Sequence, residues 1–378
     1  TTPVHTPSGP TYVTLDGFAG PGGWDEGARI LGLDTQIIGI EFDKHAVATA
    51  TAAGHRRVLQ DIRAARPADY AHARGAILSS PCPTFSPSGL GTGRQEMQIL
   101  LDAVTHAGSG CGCSWEEIAA ELEECTDQRT ALAAETMRWV LQLPNLEWLA
   151  LEQAGVPTVE YLFEDIAAEL MSVDDDGGGH GPGWESADVF RLDALQLGMP
   201  VRRPRNFLVA RRYTVLGGHD CPLPYCLPDG TLPPAPTMAQ VLGWEPGHRM
   251  RTRGNRRGGG GNAFSCDGPS WCLTGSSRSW EREADGARMT AAQAGLLQGF
   301  RPDYPWAGAP PRQFLQAADV VLPPVAAAVL GYVTGTPWVE PVRAYLDELY
   351  AAARSRPGPA LMEPVEPAGQ LSLLDLIA

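Results

Sequence analysis

One cysteine stands out for its chemistry. In Ser80-Pro81-Cys82-Pro83-Thr84-Phe85-Ser86 it follows an apolar run and has a proline on each side, which stiffens the loop around the thiol. A thiol held this way is a nucleophile candidate, the alternative being a packed structural cysteine. Upstream, Phe18-Ala19-Gly20-Pro21-Gly22-Gly23 joins a strand-like run to a helix-like one. Such a turn lets backbone approach a ligand closely, although many glycine-rich turns bind nothing. Glu41 ends the next apolar run, where a carboxylate can accept hydrogen bonds from both hydroxyls of a ribose. Phe42 can stack on an adenine face, and Asp61 can accept from an exocyclic amine. With no phosphate-binding lysine nearby, adenosine without phosphates is the favoured ligand. Glu152, in Leu151-Glu152-Gln153, puts a carboxyl at a strand end beside the cysteine strand; taken alone, it reads as a surface or capping acid.

The elements that must position these groups alternate. YVTLDGF, WDEGARILGL, QIIGIEF, KHAVATATAAG and AILSS read as strand, helix, strand, helix, strand, the pattern of a doubly wound parallel α/β sheet. Residues 115–143 look helical, EWLALEQ and NFLVARR read as further strands, and DDDGGGHGPG marks a loop. From 213 to 286 the texture turns to Pro, Gly, Arg and Trp with little periodicity, as in a separate loop-rich unit. Helical pattern returns at TAAQAGLLQGF and PPVAAAVLGYVTG. The expected organisation is therefore a catalytic domain over 11–212, a second unit over 213–286, a return to the first domain over 287–355, and a flexible Pro-rich tail over 356–378.

The 378 residues are enough for one large domain and a smaller companion. No basic-then-apolar leader opens the sequence and no apolar run nears the ~18–20 residues of a membrane span, so a cytoplasmic protein without a membrane partner is expected. Eight cysteines without repeated close pairing read as free thiols; Cys221, Cys226, Cys266 and Cys272 lack the paired spacing of a zinc site, and no metal is expected. A net charge of −15 excludes a protein that merely coats nucleic acid. Locally the sign reverses: residues 201–257 hold ten arginines against Asp220, Asp229 and Glu245. That stretch is either a phosphate-contacting face or a solvated charged loop.

Taken in order, these segments resemble the cytosine-C5 DNA methyltransferase family over about residues 11 to 335. DGFAGPGG resembles its cofactor loop, GIEFD its ribose-binding acid, SPCPTFS its catalytic Pro-Cys loop and LEQAGVP its Glu motif. LGMPVRRPRNFLV resembles its arginine strand, MTAAQAGLLQGFRPDYPW the helix after its recognition domain, and LQAADVVLPPVAAAVLG its closing motif. The resemblance implies a Rossmann-like fold that binds S-adenosylmethionine. Phe18, Ala19, Gly20, Gly22 and Gly23 would form its turn, Glu41, Phe42, Asp61 and Ile62 its nucleoside wall, and Pro81 and Asp319 the side nearest the transferred group.

The same resemblance implies that Cys82 adds to C6 of a cytosine flipped out of double-stranded DNA, while a protonated Glu152 bonds N3 and the 4-amino group. Arg203 and Arg205 would hold O2 and support the acid and the cysteine loop. Residues 213–286 would read the DNA, with contacts from Ser86, Arg251, Arg253, Arg256, Arg257 and Arg278 and with Trp271 and Trp280 suited to the surface. Three departures stand out: Val201 replaces the family's Gln before the arginines, Pro83 its Gln after the cysteine, and Ala318-Asp319 its Gly-Asn. Asp319 raises the alternative of a modified S-adenosylmethionine analogue carrying a larger group; others are a catalytically weak DNA-binding homologue and an RNA substrate, against which the long insert argues. A monomer associated with the nucleoid is expected. The closing Gln370-Leu371-Ser372-Leu373-Leu374-Asp375-Leu376 resembles a sliding-clamp-binding peptide, or is a tail that docks on its own protein.

Overall fold

In the computed structural model, residues 13–81, 96–108, 113–171, 184–212, 222–252 and 261–358 are described. Cys82, Ser86, Arg253, Arg256, Arg257 and the 370–376 peptide lie outside them.

Seven strands form the main sheet: β1 (Val13–Gly17), β2 (Ile37–Glu41), β3 (Arg56–Leu59), β4 (Ala73–Leu78), β5 (Trp148–Ala154), β6 (Ser186–Asp193) and β7 (Pro204–Arg211), in the order β3-β2-β1-β4-β5-β7-β6. The first five run parallel, and β7 lies antiparallel to both β5 and β6. β2, β4 and β5 are buried almost throughout, because helices cover both faces. The helices are α1 (Gly23–Ile30), α2 (Lys44–Ala52), α3 (Met97–Gly108), α4 (Trp115–Leu122), α5 (Gln128–Ala131), α6 (Glu135–Gln142), α7 (Pro157–Met171), α8 (Met238–Leu242), α9 (Ala291–Leu297), α10 (Pro310–Asp319), α11 (Pro323–Thr334), α12 (Val339–Leu349) and α13 (Ala351–Arg354). α1 and α11 share one core with Phe207 and Val209 of the sheet, and Leu100, Trp139 and Leu162 build the core on the other face.

The expected doubly wound α/β class holds, with three differences of detail. The β7-β6 pair adds an antiparallel edge to the parallel sheet. That edge matters for chemistry, since a strand running backwards begins where its neighbours end: Arg205 opposite Ala154. The helix read over 115–143 is three helices, broken where Thr126 and Asp127 turn their backbone N–H groups onto the buried Glu96 carboxylate. Finally, Pro310–Thr334 is apolar enough by composition to cross a membrane, with mean hydropathy 1.6, contrary to the expectation of no such run. It is two helices parted before Pro323, and 83% of its most apolar stretch is buried inside this chain.

A second, antiparallel sheet joins β8 (Arg249–Arg251), β9 (Ala263–Ser265) and β10 (Glu281–Arg282) in the order β10-β8-β9. Its centre is Phe264, stacked on Trp271 at 4.5 Å and met edge-on by Trp280 at 5.4 Å. Trp280 is thus a core residue here and not a surface one.

α1 and α11 meet at Gly27, where an added Cβ would lie 2.5 Å from the Cβ of Ala326 and 2.8 Å from the Ala327 nitrogen. Gly27→Val is expected to lower unfolding free energy by about 1–3 kcal/mol, since overpacking forces the helices apart. Urea denaturation reads this, and an unchanged midpoint would refute so close a contact.

Candidate active site

The carboxyl ends of β1, β2, β4 and β5 carry the expected site residues to one edge. After β1 the chain turns sharply: Phe18, Gly20 and Gly22 all have positive φ, at 64°, 54° and 114°. At Gly22 a side chain would strike both the His55 ring and the Tyr304 hydroxyl at 2.7 Å, so only glycine fits. Glu41 locks the turn from the next strand. Its Oε2 accepts from the Gly20 N–H at 2.8 Å and its Oε1 from the Asp43 N–H at 2.7 Å. The Phe42 N–H also acts on this carboxylate, which has four lone pairs in all and so keeps acceptor capacity for a ligand hydroxyl. Burial raises the Glu41 pKa, against the pull of those backbone donors. Beside it Phe42 is 72% exposed, an uncovered ring face.

Beneath the turn, Arg57 makes two bonds to Asp25, at 3.0 and 2.5 Å, and also donates to the carbonyls of Ala19 and Gly20, each at 3.3 Å. Asp25 and Glu26 stand in the first turn of α1, so that helix N-terminus already has its counter-charge. Such an end suits a cationic or neutral ligand better than a phosphate. Asp61 is held by Arg63, whose backbone N–H, Nε and Nη2 reach it at 2.9, 3.2 and 2.7 Å; this keeps its carboxyl below the usual range. Ile62 is buried against Gly17. Uncovered ring, ribose acceptor, amine acceptor and tight turn together fit S-adenosylmethionine.

At the other half of the edge, Glu152 is buried at the end of β5 and pairs with Arg205 Nε at 2.9 Å. Burial raises its pKa, and Arg205 and Arg203 partly oppose this. Next to it, the Gln153 amide donates to the Ser80 carbonyl at 3.0 Å, the Ser80 hydroxyl at 3.1 Å and the Pro81 carbonyl at 3.3 Å. This fixes the residues that lead into Cys82. Arg203 lies deeper than a base contact would. Its terminal nitrogens cap α10 and the segment beyond it, reaching Ala318 O at 2.8 Å, Val320 O at 3.1 Å and Leu273 O at 3.0 Å. Asp319 ends the same helix. Protein crowds it and pushes its pKa up, against Arg203, Arg205 and the Gly275 N–H, yet its side chain reaches solvent, as befits a group lining a cleft.

The arginines of the second sheet are less free than their count promised. Arg249 and Arg251 converge on Glu283, at 3.2 and 2.9 Å, Arg282 pairs with Asp285 at 2.6 Å, and Arg288 with Glu281. Among the described residues of the 201–257 stretch, Arg249 and Arg251 are answered by Glu283, whereas Arg282 and Arg288 lie beyond it with acids of their own. Arg278 stands exposed on the turn Gly275–Ser279. A cavity of about 400 Å³ opens at the opposite, amino edge of the sheet, between Gln36, Gly75, Trp148 and Thr336, away from all these groups.

Sequence reading missed Asp16, whose signal is an acid inside an apolar strand. It is fully buried and neither carboxylate oxygen has a hydrogen-bond partner. Burial, then the charge of Asp25, raises its pKa well above the ordinary value. The folded chain therefore holds a proton that the unfolded chain releases near pH ~4, and stability falls as pH rises from there towards the folded pKa. Asp16→Asn should remove this loss, so its stability relative to wild type should grow with pH. Urea titrations from pH 4 to 8 measure it; a constant difference would contradict the assignment.

No family model matches the chain, and no curated protein matches it. Solved structures do. A methyltransferase of Entamoeba histolytica, EhMeth, aligns with 86% of this chain and 99% of its own at TM-score 0.54 and 12% identity. The Dnmt2 methyltransferase of S. pombe covers 86% and 98% at 0.54 and 12%. A putative DNA modification methyltransferase encoded within an E. coli prophage covers 86% and 99% at 0.50 and 15%. At such identities the likeness is one of architecture, and that architecture is the Rossmann-like methyltransferase fold.

Proposed function

We propose that the chain transfers a methyl group from S-adenosylmethionine to C5 of a cytosine flipped out of duplex DNA. The observation that carries this is the meeting of three strand ends: the buried Glu152 paired with Arg205, and the Gln153 amide bound to Ser80 and Pro81, directly before Cys82. The similar prophage-encoded protein is itself described as a putative DNA modification methyltransferase, which favours DNA as the substrate here.

Each residue has a task that follows from its surroundings. The Cys82 thiolate adds to C6 and pushes electrons towards N3. Glu152, which burial keeps protonated to higher pH than an ordinary carboxyl, supplies the proton N3 needs. Arg205 orients that carboxyl and faces the base, whereas Arg203 builds the wall behind it. S-adenosylmethionine supplies the electrophilic methyl. Loss of the C5 proton then expels Cys82 and restores the aromatic ring. Glu41, Phe42 and Asp61 hold the nucleoside, and residues 213–286 read the target, with Arg278 in reach of the backbone. Asp319 already faces Arg203, Arg205 and the Gly275 N–H, so protein groups answer its charge; this favours plain methyl over a larger cationic group.

A duplex carrying 5-fluorocytosine should trap the wild-type protein covalently, and Cys82→Ala should bind the same duplex without forming the adduct. Trapping by the variant, or none by wild type, would end the mechanism. Glu152→Gln should slow turnover by roughly 10²–10⁴-fold, the usual scale of general acid catalysis. Weighing the modified cytosine decides the transferred group: one methyl is expected, and a larger adduct would revive the altered cofactor.

A further inference from the structure

The turn that follows β3 has no regular structure to satisfy it. Residues 61–65 fold back on themselves, with Ala64 N–H and Ala65 N–H both donating to the Asp61 carbonyl, at 3.0 and 3.1 Å. The carbonyls of Ile62, Arg63 and Ala65 are left pointing inward, where an unmet acceptor is costly. All three meet one side chain from far along the chain. Arg138 Nη1 donates to Arg63 O at 2.9 Å, and Nη2 donates to Ile62 O at 2.9 Å and Ala65 O at 2.7 Å. Its Nε lies 3.1 Å from Glu135 one helical turn earlier, and its guanidinium rests over the Trp139 ring at 5.4 Å. Both members of the pair are buried. The two terminal nitrogens of the planar fork thereby hold three carbonyls at once, which a lysine could not reproduce, while Nε meets Glu135 as a charge without a hydrogen bond.

We propose that Arg138 is the positioning residue for adenine recognition: by gripping the 62–65 carbonyls it sets where the Asp61 carboxylate stands, and so the preference for a 6-amino purine. The inference rests on the proposed S-adenosylmethionine site. Arg138 touches no ligand itself; it acts through the turn. Arg63, by contrast, holds Asp61 from the solvent side, so the acceptor is braced from within and without.

The test compares, by calorimetry on the full chain, binding of S-adenosylhomocysteine with binding of S-inosylhomocysteine, which presents an oxygen at the 6-position. Wild type should prefer the amine by about 10-fold or more, the scale of one hydrogen bond to a charged acceptor. Arg138→Lys should bring that ratio near one, while KM for DNA stays unchanged. Because the ratio is taken within one protein, a smaller folded fraction does not alter it. Glu135→Gln, which removes the negative charge facing the guanidinium, should lower the ratio part way and decides the matter if the lysine variant does not fold. A ratio kept in either folded variant overturns the role of Arg138. Wild type binding neither compound overturns the cofactor reading instead.

Discussion

The site depends on how irregular backbone is kept satisfied. Loops at the carboxyl edge of a sheet leave carbonyls without ladder partners, and each one buried unmet costs on the order of 1–3 kcal/mol. This chain answers with long polar side chains reaching in from distant elements. Arg57 takes the carbonyls of the glycine-rich turn, Arg138 those after β3, Gln153 those before Cys82, and Arg203 and Gln298 those at the end of α10. Each of these described segments therefore has its backbone held by one or two side chains from distant elements.

The electrostatics follow the same pattern. Among the described residues of the edge, the acids near the nucleoside wall are buried or braced: Asp16 and Glu41 by burial, Asp25 by Arg57, Asp61 by Arg63. With Asp25 and Asp61 each paired to an arginine and burial favouring the neutral form of Asp16, this edge offers acceptors and little uncompensated positive charge, which suits a nucleoside better than a phosphate. On the far side of the site the arginines of the second sheet are largely answered by Glu281, Glu283 and Asp285. Any polyanion binding there must displace carboxylates already in place, so association at that face exchanges one ion pair for another.

Much of the frame was legible in the sequence. β1, β2, β4, β5 and β7 announce themselves as apolar runs, and the turn, Glu41 and Glu152 sit at their ends as read. β3 was missed because it is a short edge strand rich in arginine with little burial, and β6 because its burial is partial along most of its length. The carbonyls that Arg57, Arg138 and Arg203 hold could not be read. They lie 37 to 117 residues away, and every residue type has a carbonyl. The pairing of Arg249 and Arg251 with Glu283 was hidden for a related reason: that acid lies past the end of the 201–257 stretch and is brought back by the antiparallel β10-β8 contact.

The glycine-rich turn is finished by residues nearly three hundred positions further along. Gly23 is closed over by the Val321 carbonyl, which an added Cβ would approach to 2.1 Å, and the Tyr304 hydroxyl donates to the Pro21 carbonyl at 2.5 Å. For a chain emerging from the ribosome, β1 to β4 can be laid down early, but the face of α1 that receives α11 stays uncovered until the roughly three hundred residues between them have followed. The glycine-rich turn is then closed only after residues 213–286 have been synthesised, and a nascent fragment that ends before α11 carries that turn without its cover.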